Sequence, residues 1–283
     1  CLVGSEMCIR DRPSAAEVAR GARAAIVPTM PFVERQGRRI HHSLEGEGPG
    51  VVLVPGLGSG ARLFGTLPRR FARSGFTCAA IDPVGLEPSS ALPDEGFDFT
   101  EAAADVLAVA ATLPAPVTLV GTSLGGKVAL RAAAMDSGDA AKLVMLCSSA
   151  LQTPRSKRIY RWFELLCTEI DGALLGELTA PFLFGETFLN EKAQVVDNII
   201  RSTKPTAATR AFMRAQARAL QEFDGAGLCP EVQIPALCLA GAEDTLTTTT
   251  SSYGHCWYRF RSVNAERARE LSERERAARY VPS

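Results

Sequence analysis

Between residues 32 and 147 the chain alternates short apolar runs with longer stretches whose apolar positions recur every three or four residues. VVLVP (51–55), FTCAAID (76–82), VTLV (117–120) and AKLVMLC (141–147) are almost continuously apolar. A strand covered on both faces carries this signature, because neither set of alternating side chains meets water. Helical spacing fills the gaps at 61–73, 100–112 and 124–135. Repeated strand–helix–strand units predict an α/β fold, a mostly parallel sheet with helices on both faces. PFVERQGRRIHHSLEG (31–46) reads as a leading hairpin that turns near Gln36 and Gly37.

From 151 to 232 the strand signature stops. The clearest helix covers 207–222, where Phe212, Ala215, Gln216, Ala219, Leu220 and Phe223 share one face; Thr206 precedes it as a cap and Gly225 follows as a stop. Strand character returns in IPALCLAGAED (234–244). A helical insertion between two strands of one sheet predicts a lid, since ligands reach such sheets at the carboxyl ends of the strands. The expected organisation is a core at 32–150, a helical cap at 151–232 and a core strand with its loop at 233–245. Around these stand a segment at 1–12 that begins with Cys and has neither period, read as a non-native leader, an extension at 13–31 and an atypical tail at 246–283.

Composition narrows the partners. A chain of 283 residues with 46% hydrophobic and 22% charged residues suits one globular unit. Thirty-one basic residues balance thirty-one acidic ones, which argues against nucleic acid as a partner. The most apolar region, 102–120, is broken by Asp105, Pro114 and Pro116. No run approaches the roughly 20 apolar residues that span a bilayer, so no membrane partner is expected. Eight scattered cysteines lack Cys-x-x-Cys spacing and predict buried free thiols in a reducing compartment. With no signal-like segment at the start, the expected location is cytoplasmic.

LVGTSLGGKVALRAAA (119–134) holds the candidate chemistry. Gly121-Thr122-Ser123-Leu124-Gly125 is a G-x-S-x-G pattern with an apolar strand running in and an alanine-rich helix running out. A serine in so sharp a turn excludes bulky neighbours two residues away on either side. The helix that follows points free N–H groups and its positive end at developing negative charge.

On these residues the chain resembles the α/β-hydrolase fold family, in the helical-cap branch of esterases and enol-lactonase-like lactonases. The resemblance runs from about 32 to 244. LVPGLGSG (53–60) matches the glycine-rich loop after the third strand, with Pro55-Gly56 where many relatives have His-Gly. IDPVGLEPSS (81–90) matches D-x-x-G-x-G-x-S, with Glu87 where glycine is usual. The resemblance implies a serine hydrolase that cleaves an ester or lactone of a small substrate through an acyl-enzyme, with no metal or organic cofactor. Ser123 is then the nucleophile, and the N–H groups of Leu57 and Leu124 form the oxyanion hole. The family order of serine, acid and histidine puts the acid at Asp244, with Glu243 as substitute. The alternative acid position, just after Cys147, offers only Ser148 and Ser149.

Three histidines are present. His41 and His42 fall in the leading hairpin, where a polar strand face at the edge of the sheet is expected. His255 remains as the base. LTTTTSSYGHCWYRF (246–260) lacks room for the helix and strand that relatives place between acid and histidine. Two readings stay open. Either a compact tail supplies His255 and a final helix over 264–280, or the reading frame slips after Asp244. In the cap, aromatic residues such as Tyr160 and Trp162 are expected in the core, and Arg210, Arg214 and Arg218 on a solvated face. Two rival functions also stay open: carbon–carbon bond hydrolysis of a diketone-like compound by the same residues, and a non-catalytic ligand-binding member of the fold.

Overall fold

The computed structural model describes residues 31–135, 138, 140–150, 152–202, 204–247 and 260–264, the side chains of 173 and 260–264 excepted. Among these, the strands are β1 (Phe32–Arg35), β2 (Arg38–Glu45), β3 (Gly50–Val54), β4 (Thr77–Asp82), β5 (Val117–Thr122), β6 (Ala140–Leu146), β7 (Ala236–Ala240) and β8 (Phe260–Asn264). They form one sheet in the order β1-β2-β4-β3-β5-β6-β7-β8. β2 runs antiparallel to β1 and β4, and the remaining neighbours are parallel. Gln36 and Gly37 join β1 to β2 with φ of 50° and 76°, the doubly left-handed turn that suits a two-residue hairpin.

Alternation along the central strands explains the continuous apolar runs. Val52 and Val54 of β3, Ala79 and Ile81 of β4 and Leu119 of β5 face one core. Their neighbours Val51, Leu53, Cys78, Ala80 and Val120 face a second core on the other side. On the first side pack α2 (Phe99–Ala110) and α3 (Leu124–Met135), through Val106, Val109, Val128 and Leu130. On the second packs α1 (Leu67–Arg73), through Leu67 and Phe71.

Five helices fill the interval between β6 and β7: α4 (Pro154–Glu169), α5 (Gly172–Leu183), α6 (Glu186–Glu191), α7 (Ala193–Ser202) and α8 (Ala207–Glu222). Thr206 caps α8 as expected, its hydroxyl accepting the Thr209 N–H at 3.1 Å. Phe212, Gln216 and Leu220 of α8 are buried. No helix among the described residues is long and apolar enough to cross a membrane.

Three expectations need correction. The tail does hold a strand, since β8 pairs in register with β7 from Ala236↔Phe260 to Ala240↔Asn264. The histidines of β2 do not form a polar outer face: β2 lies between β1 and β4, and His41 and His42 are 3% and 2% exposed. Cys78, Cys147, Cys167 and Cys238 are free thiols, but Cys229 is disulfide-bonded. The final helix expected over 264–280 and the base His255 lie outside the described residues.

Candidate active site

β5 ends at Thr122, α3 begins at Leu124, and Ser123 alone makes the turn between them with φ of 53°. A side chain rarely takes this left-handed conformation, at an expense of about 1–3 kcal/mol, so the surroundings must hold it. They do so through the main chain. The Ser123 N–H donates to the Leu146 carbonyl at 2.8 Å, and the Ser123 carbonyl accepts from the Gly126 N–H at 3.0 Å and the Ser148 hydroxyl at 2.7 Å. The flanking glycines are steric necessities. A Cβ on Gly121 would stand 2.2 Å from the Gly125 carbonyl oxygen, and one on Gly125 would stand 2.2 Å from that of Val54. Ser123 itself is half-buried, and its hydroxyl has no hydrogen-bond partner among the described residues.

The glycine-rich loop after β3 lies directly against this turn. A Cβ on Gly56 would be 3.4 Å from the Ser123 Cβ. Gly56, which precedes Leu57, and Leu124, which opens α3, therefore both adjoin the serine. The Leu124 N–H, at the first position of α3, is one that a helix leaves without an internal acceptor. Two side chains fix the loop beyond Leu57. The Gly58 N–H donates to Gln216 Oε1 of α8 at 2.8 Å, and the Ala61 N–H donates to Asp82 Oδ1 at 2.8 Å. The second Asp82 oxygen is held by His41 Nδ1 at 2.7 Å. His41 and Asp82 are direct partners across β2 and β4, a pairing that becomes visible only once the strand register is known.

Asp244 follows β7 at the same carboxyl edge of the sheet. The Cys147 N–H, just after β6, donates to the Leu239 carbonyl at 2.7 Å, tying the ends of β6 and β7 together beside Ser123. The half-buried Asp244 carboxylate is organised by its own loop: Oδ1 accepts the N–H groups of Leu246 and Thr247 at 2.9 and 2.8 Å, and Oδ2 accepts the Thr247 hydroxyl at 2.6 Å. Cys147, another left-handed residue at φ of 45°, lies near Asp244, and burial followed by this negative neighbour raises its thiol pKa. Tyr160 of α4 is pushed up to about 12 by burial, with the Asp244 charge adding to it. Glu243 is turned away, its carboxylate accepting the Thr187 N–H at 2.9 Å and the Thr187 hydroxyl.

Sequence reasoning missed three side chains here. Cys147 carried no motif. Gln216 read as one more core position of α8. Lys127, one helical turn past Ser123, is 1% exposed; its ammonium donates to the Ser149 carbonyl and lies 5.0 Å from the Phe223 ring centre. Burial pulls Lys127 down to about 7. A cavity of about 360 Å³, within the usual range for small-molecule sites, is bordered by α2, α3 and α8; Pro55, Leu124, Val128 and Gln216 are among its walls, and Ser123 is not.

Comparison with known proteins identifies the family. The model of the Alpha/beta hydrolase family matches residues 51–279. The chain is 27% identical over 216 residues to a protein of Variovorax paradoxus provisionally named carbamate hydrolase RutD, covering 75% of this chain and 81% of that one. It is 29% identical over 214 residues to the pimeloyl-acyl-carrier-protein methyl ester esterase of Chromobacterium violaceum, covering 71% and 78%. In fold it resembles the crystal structure of the enol-lactonase from Burkholderia xenovorans LB400, with a TM-score of 0.73, 19% identity and coverage of 87% and 98%.

Proposed function

We propose that this chain, which belongs to the alpha/beta hydrolase family, is a serine hydrolase that cleaves a small carboxylic ester or lactone through an acyl-enzyme. The observation that carries this reading is the left-handed Ser123, packed so near Gly56 that a Cβ placed there would stand 3.4 Å from the serine Cβ. A hydroxyl held at the start of a helix and faced by main-chain donors is arranged for attack on a carbonyl. Ser123 attacks, the N–H groups of Leu57 and Leu124 stabilise the oxyanion, and water then releases the acid. The sequence relatives named as a methyl ester esterase and a carbamate hydrolase fit a carbonyl bonded to a heteroatom.

His255 takes the proton and Asp244 orients it in this proposal. His41 serves elsewhere, bound to Asp82, and His42 sits beside it in β2, so His255 is the histidine left for the role. Reach supports it. β8 starts level with Ala236, at the amino end of β7, and His255 lies five positions before Phe260. At about 3.4 Å per residue, five residues span a strand as long as β7.

A fluorophosphonate probe tests the reading. Wild-type protein is expected to be labelled at Ser123, with turnover of p-nitrophenyl esters lost in Ser123→Ala. Folded protein that resists labelling rejects it. In that event the non-catalytic reading gains support, since the Asp244 carboxylate is already occupied by Leu246 and Thr247.

A further inference from the structure

The cavity bordered by α2, α3 and α8 has a wet end and a buried end. Gln36, Glu95 and Asp98 on its rim are exposed, whereas Val54, Pro55, Val84, Leu124 and Val128 are buried. None of Ser123, Leu57 and Asp244 lines it. A space of about 360 Å³ is far larger than a water molecule, and close-packed interiors keep few of that size. Water settles in such a space only where polar partners are at hand. The two buried polar side chains on the wall are already engaged. Gln216 Oε1 accepts the Gly58 N–H at 2.8 Å, and Asp105 Oδ1 accepts from Arg35 Nε at 2.7 Å. An apolar occupant gains where water does not.

The rim says what the occupant carries at its outer end. Arg38 of β2 and Asp105 of α2 face each other at 3.3 Å, and Glu101 bonds both Arg35 and Arg38. Two cations cancel two anions on that side. Asp98 begins α2, its Oδ1 accepting the Thr100 and Glu101 N–H groups at 2.7 and 2.8 Å. The Glu95 carboxylate has no hydrogen-bond or ion-pair partner among the described residues. Glu95 and Asp98 leave the rim negative, which repels a carboxylate and attracts a cation.

We propose that this cavity is a second binding site, for a small amphiphile with an apolar chain and an ammonium head. The chain fills the space between α2, α3 and α8, and the head rests at the rim by Glu95 and Asp98. The site goes beyond hydrolysis, since it needs neither Ser123 nor a bond to cleave.

Calorimetry on the full chain at neutral pH tests this with octylamine, octanol and octanoate, which share a chain and differ in charge. Octylamine is expected to bind saturably, one per chain, with octanol about fivefold weaker and octanoate weaker still. Ser123→Ala protein should give the same affinities. Ala102, half-buried on α2, belongs to the wall, so Ala102→Phe fills the space from a position that has room to adjust. It should weaken octylamine and octanol together by about tenfold or more. Glu95→Lys, at an exposed position that folding does not depend on, should weaken octylamine about fivefold and leave octanol unchanged. Absence of saturable binding, octanoate binding as tightly as octylamine, or an octylamine affinity that Glu95→Lys leaves unmoved overturns the proposal.

Discussion

Single residues set the geometry of the site through what they forbid. Ser123 can hold its left-handed turn because Gly121 and Gly125 leave room for main chain where a methyl group would collide with carbonyl oxygens at 2.2 Å. Neither carbonyl can yield, since Val54 ends β3 and Gly125 lies in α3. Gly125→Ala is therefore expected to destabilise the protein by about 1–3 kcal/mol or more. Urea unfolding measures that loss, and fluorophosphonate labelling should fall with it if the turn opens. The pattern of glycines was readable in the sequence because its cause is local. The contacts of Gln216 with Gly58, of His41 with Asp82 and of Cys147 with Asp244 were not readable, because each joins residues that meet only after strands and helices have packed.

Elements position these residues, and their boundaries follow local chemistry. Thr206 begins α8 by accepting the Thr209 N–H, which satisfies one of the donors a helix start leaves open. Thr206→Ala is expected to lower stability by about 1 kcal/mol. The expected accompaniment is a weaker hold on Gly58, because α8 carries Gln216; faster amide hydrogen exchange at Gly58 would show it. The helical insertion was legible as a change of period. Its seat on the glycine-rich loop after β3 was not, since the same stripe of Phe212, Gln216 and Leu220 would suit any apolar partner. β8 was missed for a related reason: a five-residue strand at the sheet margin, FRSVN, has no apolar run, and pairing with β7 defines it.

For the whole molecule, buried titratable groups set how stability depends on pH. Burial, followed by the neighbouring His41, lowers His42 to about 4 from an ordinary 6.5, so the unfolded chain binds the extra proton first as pH falls. Stability is then complete above 6.5 on this account and is lost toward 4, at up to about 1.4 kcal/mol per pH unit. Lys127, pulled to about 7 from 10.5, behaves similarly at higher pH: the unfolded chain holds its proton longer, so stability rises from 7 upward. Burial pushes Cys78 to about 12 and Cys167 and Cys238 to about 11 from 9.0. These thiols ionise first in the unfolded chain, so they reverse the trend above 9. Melting temperature is expected to climb from pH 4 to a maximum near 9 and then fall. Lys127→Met should flatten the limb between 7 and 9, and His42→Gln the limb below 6.5.

The sequence by itself determined the strand–helix alternation, the doubly covered central strands, the helical insertion and the turn at Ser123. These depend on the period of apolar residues and on steric limits within a few neighbours, which a linear chain already contains. Tertiary structure alone decided which groups hold the glycine-rich loop after β3, where Lys127 and the β2 histidines are buried, and which side chains line the cavity between α2, α3 and α8. Strand register and the seating of α8 bring residues from distant parts of the chain within 3 Å, and no local pattern encodes those distances.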